Sequence, residues 1–170
     1  MQLSESSYLH ALIKNIEEAK ISRPSREIEF LINSREKEYC LEQLERVGDI
    51  KSAIYIISKG FPLSTSHSLK EKLIGYKKSS NRKCPKINDN LSEVLYVGSS
   101  TTGVKKRLEQ HLGYGHPQTY ALHLCHWLDE EVRIQVFEYQ SLSRDILQLI
   151  EDAISADKIP MFGKKGGNNN

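Results

Sequence analysis

Apolar residues first recur at helical spacing. Tyr8, Leu9, Leu12, Ile13 and Ile16 fall on one face between Glu5 and Lys20, with Ser4 or Ser6 placed to cap the start. The stretch SRPS at 22–25 interrupts this pattern, and Pro24 suits the first turn of a following helix. Glu27 to Val47 is read as one long or two short helices. Ile28, Leu31, Ile32, Leu41, Leu44 and Val47 form the buried stripe, and Gly48 is the stop. Residues 1–50 are therefore expected to be a helical arm, and 51–170 the main domain.

The pattern changes at Ser52. SAIYIIS is dense in β-branched and aromatic residues, as a buried strand requires. A long insertion at 60–92 follows, punctuated by Pro62, Gly75 and Pro85, with one short helix over SLKEKLIGY. VLYVGSS predicts a second strand and Val104 to Leu112 a helix closed by Gly113, while TYALHLCHWL at 119–128 predicts another short helix. VRIQVFEYQ alternates cleanly, so Val132, Ile134 and Val136 should share one face of a third strand. Ser143 caps a last helix, RDILQLIEDAISADK, which Pro160 ends. The expected fold is α+β: a small three-stranded mixed sheet flanked by helices, preceded by the helical arm.

Composition adds little until charge is resolved by position. The 38% hydrophobic and 27% charged content is that of an ordinary globular chain. No apolar run reaches the roughly 20 residues that span a bilayer, and MQLSESSYLH has neither the basic nor the apolar region of a signal peptide. No membrane partner is expected. Cys40, Cys84 and Cys125 lie far apart with no CxxC, which points to a reducing, cytoplasmic setting. Net charge is only +2, yet Lys70, Lys72, Lys77, Lys78, Arg82, Lys83 and Lys86 face only Glu71 and Asp89 within 67–90. Such a segment in a nearly neutral chain suggests a localised polyanion contact.

Five positions carry candidate chemistry. Leu108 and Leu112 make the apolar stripe of the helix from Val104. Arg107 and His111 sit beside it, one turn apart, so both can converge on one anion. Glu151 lies at the margin of the last helix's stripe of Ile146, Leu147, Ile150 and Ile154, where a carboxylate can ligate a hard cation. Tyr55 and Tyr96 each interrupt an apolar strand, although a core tyrosine accounts for each alone. His123 and His126 flank Cys125 without partner ligands at finger-like spacing, so no zinc site is expected, and Trp127 is assigned to the core.

In order, AIY at 53–55, YVG at 96–98, a helix with Arg107 and His111, and Glu151 in a later helix resemble the GIY-YIG nuclease superfamily. The resemblance covers about residues 52–165, and YVGSS followed by VKKRLEQHL is its most specific piece. It departs from the family at three places. Ala53 stands for the first Gly, the insertion separates the two tyrosines, and Gly163 follows the Pro-Met-Phe where the family Asn is usual, leaving Asn168 to fill that role. The resemblance implies a DNA endonuclease, RNA not being excluded, that uses a single Mg2+ or Mn2+ on Glu151. Arg107 would contact the scissile phosphate, and Tyr55 would act as general base or water-positioning group. Tyr96 and His111 would support them, and the insertion would contact DNA phosphates. A compact restriction-type or stand-alone member, monomeric or homodimeric, is implied; the alternative is a catalytically silent binding module. The SSTTG turn is about one residue longer than usual, so whether Arg107 faces Tyr96 becomes a structural question.

Overall fold

Strict alternation builds the sheet. In the computed structural model, which describes residues 6–60 and 65–164, four strands pair in the order β1-β4-β2-β3, all antiparallel. They are β1 (Arg26–Asn33), β2 (Ala53–Lys59), β3 (Val94–Ser100) and β4 (Glu131–Glu138). Helices α1 (Ser7–Ile21), α2 (Lys37–Glu45), α3 (Ser66–Ser79), α4 (Val104–Leu112) and α5 (Arg144–Lys158) surround them.

The α+β class holds, while the three-stranded mixed sheet does not. The extra strand, β1, comes from the stretch expected to be helical. Ile28, Phe30 and Ile32 are buried and alternate with exposed Glu27 and Glu29, so REIEFLIN satisfies a period of two. Pairing with β4 along its whole length decides the outcome. The second half of the expected helical arm therefore edges the sheet, and only Lys37–Glu45 of that stretch is helical.

Most of the other predicted helices and strands match closely. Ser143 Oγ accepts the Ile146 N–H at 3.3 Å, which satisfies a free amide of α5's first turn. Gly113 ends α4 at φ +105, a left-handed conformation that suits glycine. Ser6 precedes α1 without a side-chain cap. The insertion carries α3, capped by Thr65 Oγ1 on the Ser68 N–H. Residues 119–128, expected to be helical, are instead irregular with a 3-10 turn at Leu124–His126.

Two cores lie on opposite faces of the sheet. Val132, Ile134, Val136, Tyr55 and Ile57 pack with Leu108 and Leu112 of α4, with Leu69 and Leu73 of α3, and with Trp127. Ile54, Ile56 and Val97 pack with Ile146, Leu147 and Ile150 of α5, and Ala19 of α1 joins them. Burial of these apolar side chains supplies the main driving force for the fold. Strand β3 is the edge between the two cores. Register places Tyr96 beside Ile57 and Gly98 beside Tyr55 on the α4 face, with Ser99 beside Ile54 on the α5 face. Among the described residues, no helix is long and apolar enough to cross a membrane.

Candidate active site

Because β3 is an edge strand, groups from both faces can meet over it. A cavity of about 340 Å3 opens there, lined by Tyr55, Tyr96, Arg107, Ser99, Gln148 and Glu151, with Arg144 at its rim. The longer SSTTG turn has not rotated α4 away: Arg107 and Tyr96 line this cavity together. Gly98 is what keeps it open. A Cβ at that position would stand 2.5 Å from Tyr55 Oη and 2.8 Å from Tyr96 Cε1. The glycine of YVG is thus required by close approach, since no side chain fits against the two phenols.

Tyr55 is 1% exposed and His111 is fully buried, and Tyr55 Oη lies 3.1 Å from His111 Nε2. The histidine's other nitrogen decides who donates. Nδ1 accepts the Leu122 N–H at 3.3 Å, so a neutral imidazole must carry its proton on Nε2. Nε2–H therefore donates to Tyr55 Oη. Arg107 Nη2, 3.3 Å from the same Nε2, is a charged neighbour there, because Nε2 has no lone pair left to accept. Burial above all, then Arg107 and His123, hold the His111 pKa well below its ordinary value, so it is neutral near pH 7. The Tyr96 ring packs 4.4 Å from His111 and 6.3 Å from Tyr55, centroid to centroid, which closes the pocket from the side.

Burial pushes the Tyr55 hydroxyl pKa up strongly and Tyr96 adds to this, while Arg107 opposes both. Tyr96 is raised by burial and lowered by Arg107 in the same way. Arg107 is thus the group that favours a phenolate at either tyrosine. Its guanidinium also donates to Gln110 Oε1 and to the Tyr120 carbonyl, the latter at 3.4 Å, which holds the fork in place.

Across β3, Glu151 is half-buried, and Ser99 Oγ–H donates to its Oε2. Burial raises the Glu151 pKa, Ser99 lowers it, and Asp152 raises it. Asp152 itself is turned to Gln148, whose Nε2 donates to its Oδ1 at 2.9 Å. Among the described residues, no three His, Cys, Asp or Glu side chains gather as a metal cage. One carboxylate beside a hydroxyl and an amide, in an open polar cavity, is a hard-oxygen set. It suits an ion such as Mg2+ that keeps most of its waters and takes further oxygens from a substrate.

The sequence-predicted residues divide into those brought together and those left apart. Tyr55, Tyr96, Arg107, His111 and Glu151 converge. Lys77 and Lys86 line a second cavity of about 650 Å3 that shares Tyr96, Arg107, Gln148 and Glu151 with the first, so the two form one groove. Lys83 sits just beyond it, 5.5 Å from the Tyr120 ring. Lys72 pairs instead with Asp129 and Glu130, and Lys70 donates to the Asp89 carbonyl. Lys78 is exposed and Arg82 half-buried. Asn168 lies outside the described residues.

Ser99, Gln148 and Arg144 were missed. The spacing 144, 148, 151 on α5 could have signalled the last two as neighbours of Glu151 on one helix face. Nothing local could have signalled Ser99, which depends on the β3 register. No family model, no curated protein and no solved structure matches the chain.

Proposed function

We propose that this chain is a divalent-metal-dependent DNA endonuclease of the GIY-YIG kind, compact and of stand-alone or restriction type. The observation that carries the reading is the meeting of Tyr55, Tyr96, Arg107 and Glu151 around one cavity at the β3 edge, with His111 donating to Tyr55. A core tyrosine needs one hydrogen bond; it does not need an arginine and a carboxylate placed across a glycine gap.

The scissile phosphate lies against Arg107, whose donors and charge match the oxygens that gain charge in the transition state. Tyr55, having lost its proton to solvent, accepts one from the attacking water. The water oxygen bonds to phosphorus, the P–O3′ bond breaks, and the leaving oxygen is protonated from solvent. His111 fixes the Tyr55 ring and donates to the phenolate oxygen, a bond stronger to the phenolate than to the neutral phenol. Tyr96 donates to a phosphate oxygen. Glu151, steadied by Ser99, would hold a single Mg2+ or Mn2+, which supplies positive charge at the leaving oxygen when bound. Lys77 and Lys86 contact flanking phosphates.

The test is cleavage of plasmid, branched DNA and RNA with Mg2+ or Mn2+, comparing the wild-type chain with Glu151→Gln and Arg107→Ala. Activity that is lost in both variants while each stays folded supports the reading. Cleavage that survives both unchanged overturns the mechanism. Binding to nucleic acid without cleavage by the wild-type chain would make it a silent binding module.

A further inference from the structure

Three exposed aromatic side chains stand out among the described residues: Tyr8 at 71%, Tyr39 at 44% and Tyr120 at 64% exposure. Of these, Tyr120 alone lines the cavity that holds Arg107 and Glu151. The mechanism above gives its ring no task.

The ring is exposed, yet the backbone beneath it is fixed on both sides. The Tyr120 carbonyl accepts from Arg107 Nη2 at 3.4 Å. Next to it, the Ala121 N–H donates to the Lys83 carbonyl at 3.2 Å, and the Leu122 N–H donates to His111 Nδ1. Buried His123 Nε2 reaches the carbonyls of both Lys83 and Thr119, at 3.2 and 3.1 Å, and clamps the two loops together. Lys83 Nζ then stands 5.5 Å from the ring centroid, within cation–π range. An aromatic surface held by the same helix that carries Arg107 and His111 is a preorganised platform. The cavity beside it, about 650 Å3, falls within the roughly 300–1,000 Å3 typical of ligand sites. Lys77, Lys86 and Lys164 line it, with Glu151 its one acidic group.

We propose that Tyr120 stacks on an unpaired base next to the scissile phosphate, with Lys83, Lys77 and Lys86 holding the adjoining backbone. The substrate class is therefore DNA with a splayed or single-stranded nucleotide beside the cut. This deepens the nuclease reading and rests on it for the word "cut", but not for binding. Every base offers a π-face, so stacking selects for an unpaired nucleotide rather than for a sequence. A base already unpaired avoids the cost of leaving the duplex, and this separates bubble from paired DNA.

The full chain is compared on an oligonucleotide duplex with a central bubble and on its fully paired counterpart. 2-Aminopurine is placed at successive bubble positions, and the fluorescence is read with Glu151→Gln to prevent turnover. Quenching is expected at one position. It should vanish in the Tyr120→Ala, Glu151→Gln double variant and persist when Tyr120→Phe replaces Tyr120→Ala. Wild-type cleavage should favour the bubble by about tenfold, and Tyr120→Ala should remove that preference. Equal cleavage of both substrates, or a bubble preference and quenching untouched by Tyr120→Ala, overturns the platform. Quenching that depends on Tyr120 without cleavage of any DNA supports the platform and retires the nuclease reading.

Discussion

On the α4 side of β3, the site consists of groups that are already satisfied: Tyr55 and His111 are buried, bonded to each other, and tied to the Leu122 amide. On the α5 side, Glu151 and Gln148 are half-buried and Arg144 is exposed, and Glu151's bond to the Ser99 hydroxyl is its tie to the sheet. The first half is set by folding. The second is left open to water. The difference teaches that a phenol needing a matched donor is preorganised at the cost of burial, whereas the carboxylate proposed to hold a hydrated ion is left open to water.

The largest expected effects break one half at a time. Glu151→Gln should lower DNA cleavage about a thousandfold, in line with the several kcal/mol a metal ion supplies, and leave the melting temperature nearly unchanged. Gly98→Ala should do both kinds of damage. Its Cβ would meet Tyr55 Oη at 2.5 Å, so the chain should lose about 1–3 kcal/mol of stability along with most activity. Denaturant unfolding and a cleavage assay on the two variants separate the halves. A Gly98→Ala chain with full stability would mean that the packing of the two phenols against Gly98 is not as tight as the structure has it.

That asymmetry also explains what could be read from the chain and what could not. Arg107, His111 and Glu151 stood beside apolar helical stripes, but Tyr55 alone read as a core tyrosine, and it was the order of AIY, YVG, Arg107 with His111, and Glu151 that picked the group out. β1 was misread because Ile28, Leu31 and Ile32 fit a helical stripe, while Ile28, Phe30 and Ile32 fit a strand. The pairing with β4, about a hundred residues away in sequence, decided between them. TYALHLCHWL failed for a similar reason. Its amides at Ala121 and Leu122 go to Lys83 and His111, and His123 takes φ +52, so distant partners displace the helical bonds. Ser99 and Tyr120 acquire meaning only from the β3 edge and the 119–123 loop, neither of which leaves a local trace. The seven basic residues of the insertion looked equivalent in sequence, yet the fold separates Lys77 and Lys86, in the groove, from Lys72, in ion pairs.

A smaller effect sharpens the comparison through pH. The rate of the wild-type chain should climb nearly tenfold per unit through neutrality into the alkaline range, because burial raises the Tyr55 pKa and the rate follows the phenolate fraction. Tyr55→Phe should remove the climb together with most activity. On the other side, if Glu151 holds the proposed ion, its raised pKa predicts that Mn2+ binding begins to fall, on acidification, at a higher pH than for an ordinary glutamate. Isothermal titration with Mn2+ across pH 4–7 reads this directly, apart from the rate.

The smallest effect is on stability and concerns His111. Its folded pKa is lowered, so between that value and the unfolded value of about 6.5 the unfolded chain binds the extra proton. Stability is therefore full above about pH 6.5 and declines as pH falls through the window, by about 1.4 kcal/mol per unit for each such proton. His123 and His126 are also lowered and add to the same slope, while Glu151, raised, works against it. Replacing His111 by Gln should flatten the slope by close to one proton, at some loss of stability at pH 7 from the altered bonds to Tyr55 and Leu122. Unfolding by urea at successive pH values reads both quantities. If the slope is the same with and without His111, the histidine is protonated in the folded chain. Its Nδ1 could not then accept the Leu122 amide, and the assignment of Nε2–H as donor to Tyr55 would fall with it.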